Sequence, residues 1–266
     1  MSVISHSPLK WAGGKRWLVP ELEKLWALGP KKRFVDLFCG GLSVPLGMGL
    51  QNVLANDLNP HVMNFFKQVQ DGLVPSLPVA YDEAMYYEYR RKFNDLIRSG
   101  NAYTPLGAEL FYYLNRTGFN GLCRFNKRGE YNVPFGRYTK VEYRRSFADV
   151  QHVIKDWELT STDFEEVELE PTDFVYADPP YDGSFASFNP QGFDWDDQIR
   201  LAEYLARHKG PVVASNRATE RIVELYTELG FSIRYVMGPR RISSDGDRTP
   251  VKEILAIKGI ENEHTS

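Results

Sequence analysis

Two stretches in which short apolar runs alternate with helix-period segments flank a long middle of different character. This restricts the chain to an α/β fold with a mostly parallel, twisted sheet and an insert. In the first stretch residues 34–38 read as a strand, Gly40 and Gly41 as a tight turn, and Ser43 as the cap of a helix through Gly49. A second strand at 53–56 and a helix capped by Asn59 and running to Gln70 complete a βαβ unit. The second stretch opens with a strand at 157–161, then strand 174–177, helix 195–208, strand 212–215 and helix 219–229. Strands at 232–237 and 251–257 close it as an antiparallel edge.

The insert spans residues 75–147, so residues 1–74 and 148–266 are expected to form one discontinuous domain around it. Asp82 is placed to cap a helix in which Tyr86, Tyr89, Phe93 and Leu96 share one face, and a second helix is expected at 106–115. Beyond it, Gly118, Gly121, Gly129 and Gly136 mark turns, with a β-hairpin around residues 126–129. Net charge is −3, yet residues 113–145 carry Arg116, Arg124, Lys127, Arg128, Arg137, Lys140, Arg144 and Arg145 against Glu130 and Glu142, an excess of six. Phe119, Phe125, Tyr131, Phe135 and Tyr138, with four asparagines, are interleaved there. Such a mixture suits phosphate contacts, stacking and base-edge hydrogen bonds, and suits equally a solvated loop over a satellite aromatic core.

Composition sets bounds. Hydrophobic content of 42% and charged content of 25% are those of a soluble globular protein. Cys39 and Cys123 stand far apart without a CxxC or His/Cys cluster, so neither a disulfide framework nor a zinc site is expected. The apolar runs are too short for a membrane helix, and the opening residues lack a signal-peptide pattern, which together point to the cytoplasm.

Asp178-Pro179-Pro180-Tyr181 ends the apolar run 174–177, at the strand end where open α/β sheets bind ligands. A carboxylate, two carbonyls without N–H partners and an aromatic face suit a planar aromatic amine; an ordinary proline turn capped by Asp is the competing explanation. Gly40 and Gly41, with Asp57 seventeen residues after Gly40, fit a nucleoside-bearing cofactor, although Phe38-Cys39-Gly40-Gly41-Leu42-Ser43 is not GxGxxG. A structural turn with a capping Asp fits as well. Lys10-Trp11-Ala12-Gly13-Gly14-Lys15 offers two cations and an indole around a flexible turn, or merely a surface turn with Trp11 plugging a core edge. There is no GxxxxGK[ST] element for an NTPase.

Taken together, Lys10–Lys15, Asp36–Ser43, Asn115-Arg116 with Phe119-Asn120-Gly121-Leu122-Cys123-Arg124, and Asp178–Tyr181 resemble the DNA adenine methylase (Dam) family, in that family's order and over nearly the whole chain. Asn132-Val133-Pro134-Phe135-Gly136-Arg137-Tyr138 and Arg240-Arg241-Ile242-Ser243-Ser244 strengthen the resemblance. It implies a Rossmann-like S-adenosylmethionine methyltransferase fold with a mostly helical target-recognition insert, acting on double-stranded DNA as a monomer or weak self-associate, with no metal. It implies catalytic roles for Asp178, Pro179, Pro180 and Tyr181, and donor contacts from Trp11, Lys15, Phe38, Gly40, Ser43, Asp57 and Asp178. DNA contacts would come from Arg116, Phe119, Asn120, Leu122, Arg124, Pro134 and Arg137, and the adenine would be flipped from a duplex.

The chain departs from the family's pattern twice. Leu42 stands where many relatives have a second glycine, and Phe119 where some have tyrosine. The insert resembles members that recognise GATC. The rivals are methylation of another adenine site or of cytosine N4, which base analysis of modified DNA would separate, and a DNA-binding regulator that has lost catalysis, on which methyl transfer from labelled donor would decide.

Overall fold

The computed structural model describes residues 6–183, 192–239 and 251–260; the Arg240–Ser244 motif lies outside them. Strands β1 Phe34–Asp36, β2 Val53–Asn56, β3 Glu158–Thr160, β4 Phe174–Ala177, β5 Val212–Arg217, β6 Ser232–Gly238 and β7 Val251–Lys258 form one sheet in the order β3-β2-β1-β4-β5-β7-β6. Pairing is parallel from β3 to β5, and β7 runs antiparallel between β5 and β6. Every residue of β1, β2 and β4 is buried, which is why these strands read as continuous apolar runs rather than as alternating patterns.

The two faces of the sheet build two cores. Phe34, Tyr176 and Val213 point to one core, and Val35, Val175, Ala177 and Ala214 to the other. Helices α1 Val19–Leu28, α2 Ser43–Met48, α3 Pro60–Gln70, α4 Glu83–Arg98, α5 Pro105–Thr117 and α6 Ala148–Ile154 feed the first, and α7 Trp195–Arg207 and α8 Glu220–Glu228 the second. The register sets Asp36 opposite Tyr176, so the carboxyl ends of β1 and β4 emerge side by side where the strand order reverses. A crevice opens there as the topology requires.

Local signals hold at most helix starts. Asn59 accepts from the His61 N–H at 3.0 Å with Pro60 opening α3, and Asp82 accepts from the Met85 N–H at 2.8 Å at the start of α4. Ser43 is a correction: it is the first residue of α2, and the preceding Leu42 takes a left-handed conformation (φ 57, ψ 25) without a side-chain cap. For a non-glycine residue that backbone costs roughly 1–2 kcal/mol, which complete burial of the leucine side chain offsets with ~2 kcal/mol or more. A leucine therefore serves where the resemblance leads one to expect a second glycine. The N-terminal helix α1, not expected from the sequence, is anchored by Leu22 and Leu25 in the first core.

In the insert Tyr86, Tyr89 and Phe93 line the buried face of α4, with Leu96 packed at its margin. Phe65 of α3 stacks on Tyr112 of α5 at 5.5 Å, so the insert shares the first core. The hairpin is shorter than expected. An isolated bridge joins Phe125 to Tyr131, and the Asn126 carboxamide oxygen accepts from the N–H groups of Arg128 and Glu130 at 2.9 and 3.0 Å, doing locally what a ladder would. Phe125 and Tyr131 are core residues, whereas Phe119 is 45% exposed, so the basic stretch is both a core and a surface.

His61 stacks on Phe125 at 4.9 Å, and its buried Nδ1 has no hydrogen-bond partner among the described residues. Burial pushes its pKa down to about 4. In the unfolded chain this imidazole takes a proton below about 6.5, whereas in the folded chain it resists until about 4, so stability is present above that window and is lost as pH falls through it. The stability of the parent minus that of His61→Phe should therefore decline by on the order of 3 kcal/mol between pH 7 and 4 in urea titrations. A flat difference would mean that the imidazole charges freely in the folded protein.

Candidate active site

The chain leaves β4 at Asp178 because Pro179 and Pro180 have no N–H to continue a ladder. Asp178 Oδ1 accepts from Ser215 Oγ of β5 at 2.7 Å and lies 3.2 Å from Lys15 Nζ. Lys15 also donates to the Gly13 carbonyl at 2.9 Å, and its ammonium sits 4.6 Å from the centroid of the Tyr181 ring. The Tyr181 hydroxyl donates to Glu253 Oε2 of β7 at 2.7 Å. The Pro180 carbonyl accepts from Gln198 Nε2 of α7 at 2.8 Å. Asp178 Oδ2 and the Pro179 carbonyl accept nothing from the described residues, so two acceptors at the strand end are open.

Across the crevice, the glycine turn after β1 is braced by Asp57, whose Oδ2 accepts from the Gly40 N–H and Oδ1 from the Asn59 N–H, each at 2.9 Å. The capping reading of Asp57 is thus real, and each oxygen still keeps a second lone pair for a ligand. Gly40 has φ 45, and a Cβ there would come within 2.2 Å of Trp11 Nε1, so glycine is required twice over. Trp11 packs against the core margin and also lines the crevice.

The crevice has a volume of about 1070 Å³ and gathers Trp11, Lys15, Phe38, Ser43, Asp57 and Asp178 to Tyr181 on its walls. Gly40 is not on the wall; it makes room for Trp11. Phe38, Phe164 and Phe193 form an aromatic side, with Phe38 5.8 Å from each of the other two. Acids dominate around Lys15. Burial, with Asp178 nearby, holds the Asp36 carboxyl well above its ordinary range. Burial raises Glu253 too, with Asp178 adding and Lys15 and the Tyr181 hydroxyl opposing. Burial beside these carboxylates keeps Tyr181 a neutral donor. A fixed carboxylate, an open carbonyl and a ring face suit an aromatic amine, and acidic walls suit a cationic partner.

The residues expected to meet DNA lie on the insert. Phe119, Arg124, Pro134 and Arg137 are exposed, and Arg116, Asn120 and Leu122 are half-buried. Arg124 donates from Nε to Asn132 Oδ1 at 2.8 Å, whereas Arg116 is tied to the Glu142 carbonyl at 2.8 Å. Ser215, Gln198, Asn216 and Glu253 were not singled out in the sequence. The signal was there for three of them: Ser215-Asn216 makes a polar end to an apolar strand, and Glu253 is an acid entering the apolar run of β7. Among the described residues no cluster of three or more His, Cys, Asp or Glu could hold a metal, and no helix is long and apolar enough to cross a membrane.

Residues 11–242 match the D12 class N6 adenine-specific DNA methyltransferase family. The chain is 34% identical to the Retron Ec67 DNA adenine methylase of Escherichia coli, over 94% of this chain and 90% of that one. It is 32% identical to the type II methyltransferase M.MjaIII of Methanocaldococcus jannaschii, over 90% and 93% of the two chains. The DNA adenine methylase of Escherichia coli K12 is likewise 32% identical, over 94% of each. With this crevice, and with a family match across most of its length, the chain belongs to the D12 class of N6 adenine-specific DNA methyltransferases.

Proposed function

We propose that the protein methylates N6 of an adenine flipped from duplex DNA, within GATC, with S-adenosylmethionine as donor. The observation that carries this reading is the pair of open acceptors at the end of β4, Asp178 Oδ2 and the Pro179 carbonyl, matched in number to the two N–H bonds of an exocyclic amine. Acidic walls, an aromatic side and the glycine cradle beside Trp11 fit the donor. When bound, it would supply a methyl group to the amine nitrogen, leaving as the neutral thioether while one N–H proton of the amine is released.

Trp11, Lys15, Phe38, Ser43 and Asp57 would hold the donor, with Asp57 toward its ribose. Asp178 and Pro179 orient the amine and draw its lone pair outward, Pro180 shapes the turn, and the Tyr181 ring stacks on the base. Residues 75–147 act as the recognition insert on residues 1–74 and 148–266. In it Phe119 enters the space left by the flipped base beside Asn120, while Arg116, Leu122, Arg124, Pro134 and Arg137 meet the duplex. Buried thiols at Cys39 and Cys123 suit a reducing cytoplasm, where a monomer or weak self-associate acts.

Incubation with unmethylated DNA and donor, followed by mapping of the modified bases, tests the whole reading; modification at cytosine, or at adenines outside GATC, would overturn the corresponding part. Asp178→Ala should cut the single-turnover rate by ~10²-fold or more while folding and DNA affinity persist, and a rate within about threefold of the parent would remove Asp178 from the chemistry.

Asp57→Ala should weaken donor binding by about 1.5–3 kcal/mol in calorimetric titration, since both a charged acceptor and the brace on Gly40 are lost. Unchanged affinity would leave Asp57 as a structural brace of the Gly40 turn alone.

Arginine donating twice to guanine O6 and N7 discriminates by about 1–3 kcal/mol. Arg124→Ala should therefore relax selection at one base pair when rates on GATC and its single-base variants are compared, whereas Lys127→Ala should weaken all sequences alike. Equal loss on every sequence in the Arg124 variant would assign that residue to backbone contact.

A further inference from the structure

We infer that Gln198 is a positioning residue for methyl transfer: by occupying the Pro180 carbonyl it fixes the proline turn so that the Pro179 carbonyl and Asp178 Oδ2 are the acceptors presented to the target amine. The inference rests on the reading of Asp178–Tyr181 as the amine site. Gln198 is 1% exposed and Asn216 fully buried, so neither amide has water to fall back on.

Their orientations are fixed by a chain of donors and acceptors. Asn216 Oδ1 accepts from the main-chain N–H of Arg217 at 2.8 Å and, more weakly, of Asp182 at 3.4 Å, which turns Asn216 Nδ2 toward Gln198. Asn216 Nδ2 donates to Gln198 Oε1 at 2.9 Å, and Gln198 Nε2 is thereby aimed at Pro180, to which it donates at 2.8 Å. Reversing either amide would set oxygen against oxygen.

Packing does not require this polarity. Leu201, Ala202 and Leu205 on the same helix are buried and apolar, so burial on this face does not by itself call for an amide. What an amide adds is a fixed hold on one of two adjacent carbonyls. The two prolines bring no N–H to the turn, and the hold on the Pro180 carbonyl comes from Gln198 of α7.

The test is Gln198→Met, similar in length but without donor or acceptor, measured beside Asp178→Ala at saturating DNA and donor. Burst amplitude counts active sites, and the single-turnover rate constant reports chemistry in each. The rate constant of Gln198→Met should fall roughly 10- to 100-fold, with donor and DNA affinities within about threefold of the parent. A lowered amplitude or melting temperature with an unchanged rate constant would overturn the inference, because that is what a merely structural side chain produces. If the Met variant does not fold, Gln198→Glu keeps the acceptor for Asn216 and removes the donor to Pro180, and the same fall is expected. Should Asp178→Ala itself keep the parent rate, the reading of the amine site fails; if Asp178→Ala is slow and the Gln198 variants are fast, the Gln198 inference alone fails.

Discussion

The Lys15 ammonium is the charge around which the crevice is arranged. Asp178 meets it just beyond the end of β4 and Glu253 acts on it from β7, while Asp36 of β1 lines the same crevice, and burial disfavours the ionised forms of Asp36 and Glu253. Lys15, 5% exposed, meets Asp178 at 3.2 Å and the Tyr181 ring face at 4.6 Å, so one cation contacts both the carboxylate and the aromatic of the strand-end tetrapeptide. A buried pair of this kind adds little net stability, since desolvation cancels much of the attraction. Its value is geometric: it assigns Lys15 and Ser215 to one oxygen of Asp178 and leaves the other without a partner among the described residues.

The same N-terminal segment reaches the insert at its other end. The Asn115 carboxamide of α5 pairs with the Lys10 backbone in both directions at 2.8 Å, and Lys10 Nζ donates to the Arg116 carbonyl at 3.0 Å while lying 3.4 Å from the Tyr138 ring centroid. Burial, with Arg116 beside it, brings the Lys10 pKa down to about 8. Gly121 must lack a side chain because a Cβ there would meet Lys10 Cβ at 2.4 Å. Residues 10 to 15 therefore run from the insert to Asp178 with both ends pinned, and the flexible Gly13-Gly14 step lies between the pins.

Strands buried on both faces declare themselves in sequence through short runs that are mainly apolar, and β1, β2 and β4 were legible for that reason, with the polar Asp36 and Asn56 confined to the carboxyl ends of β1 and β2. The caps at Asn59 and Asp82 were legible because they act over two or three residues. The left-handed Leu42 was not, since its backbone cost is met by packing against distant residues. The family resemblance gave Asp178, Tyr181 and Asp57 as site residues, and the crevice does collect them. Their supports come from far along the chain: Tyr181 and Glu253 are 72 residues apart, and Ser215 is 37 from Asp178, distances at which no local pattern speaks.

Arg124, proposed above as a base reader, is already held to its own loop. Arg124 is exposed, yet its Nε is bound to Asn132 Oδ1 and its Nη2 lies 3.3 Å from the Asn132 carbonyl. A guanidinium has five N–H donors, so two can hold the side chain to the loop while others point outward. An unrestrained arginine would pay side-chain entropy of ~2 kcal/mol on binding, comparable to the whole gain from a bidentate guanine contact. Holding Arg124 to Asn132 places that ordering cost in folding, where Phe125 and Tyr131 pack in the core beneath the hairpin. On the proposed role of Arg124, discrimination at the base would then depend on hydrogen-bond match rather than on the expense of ordering the reader.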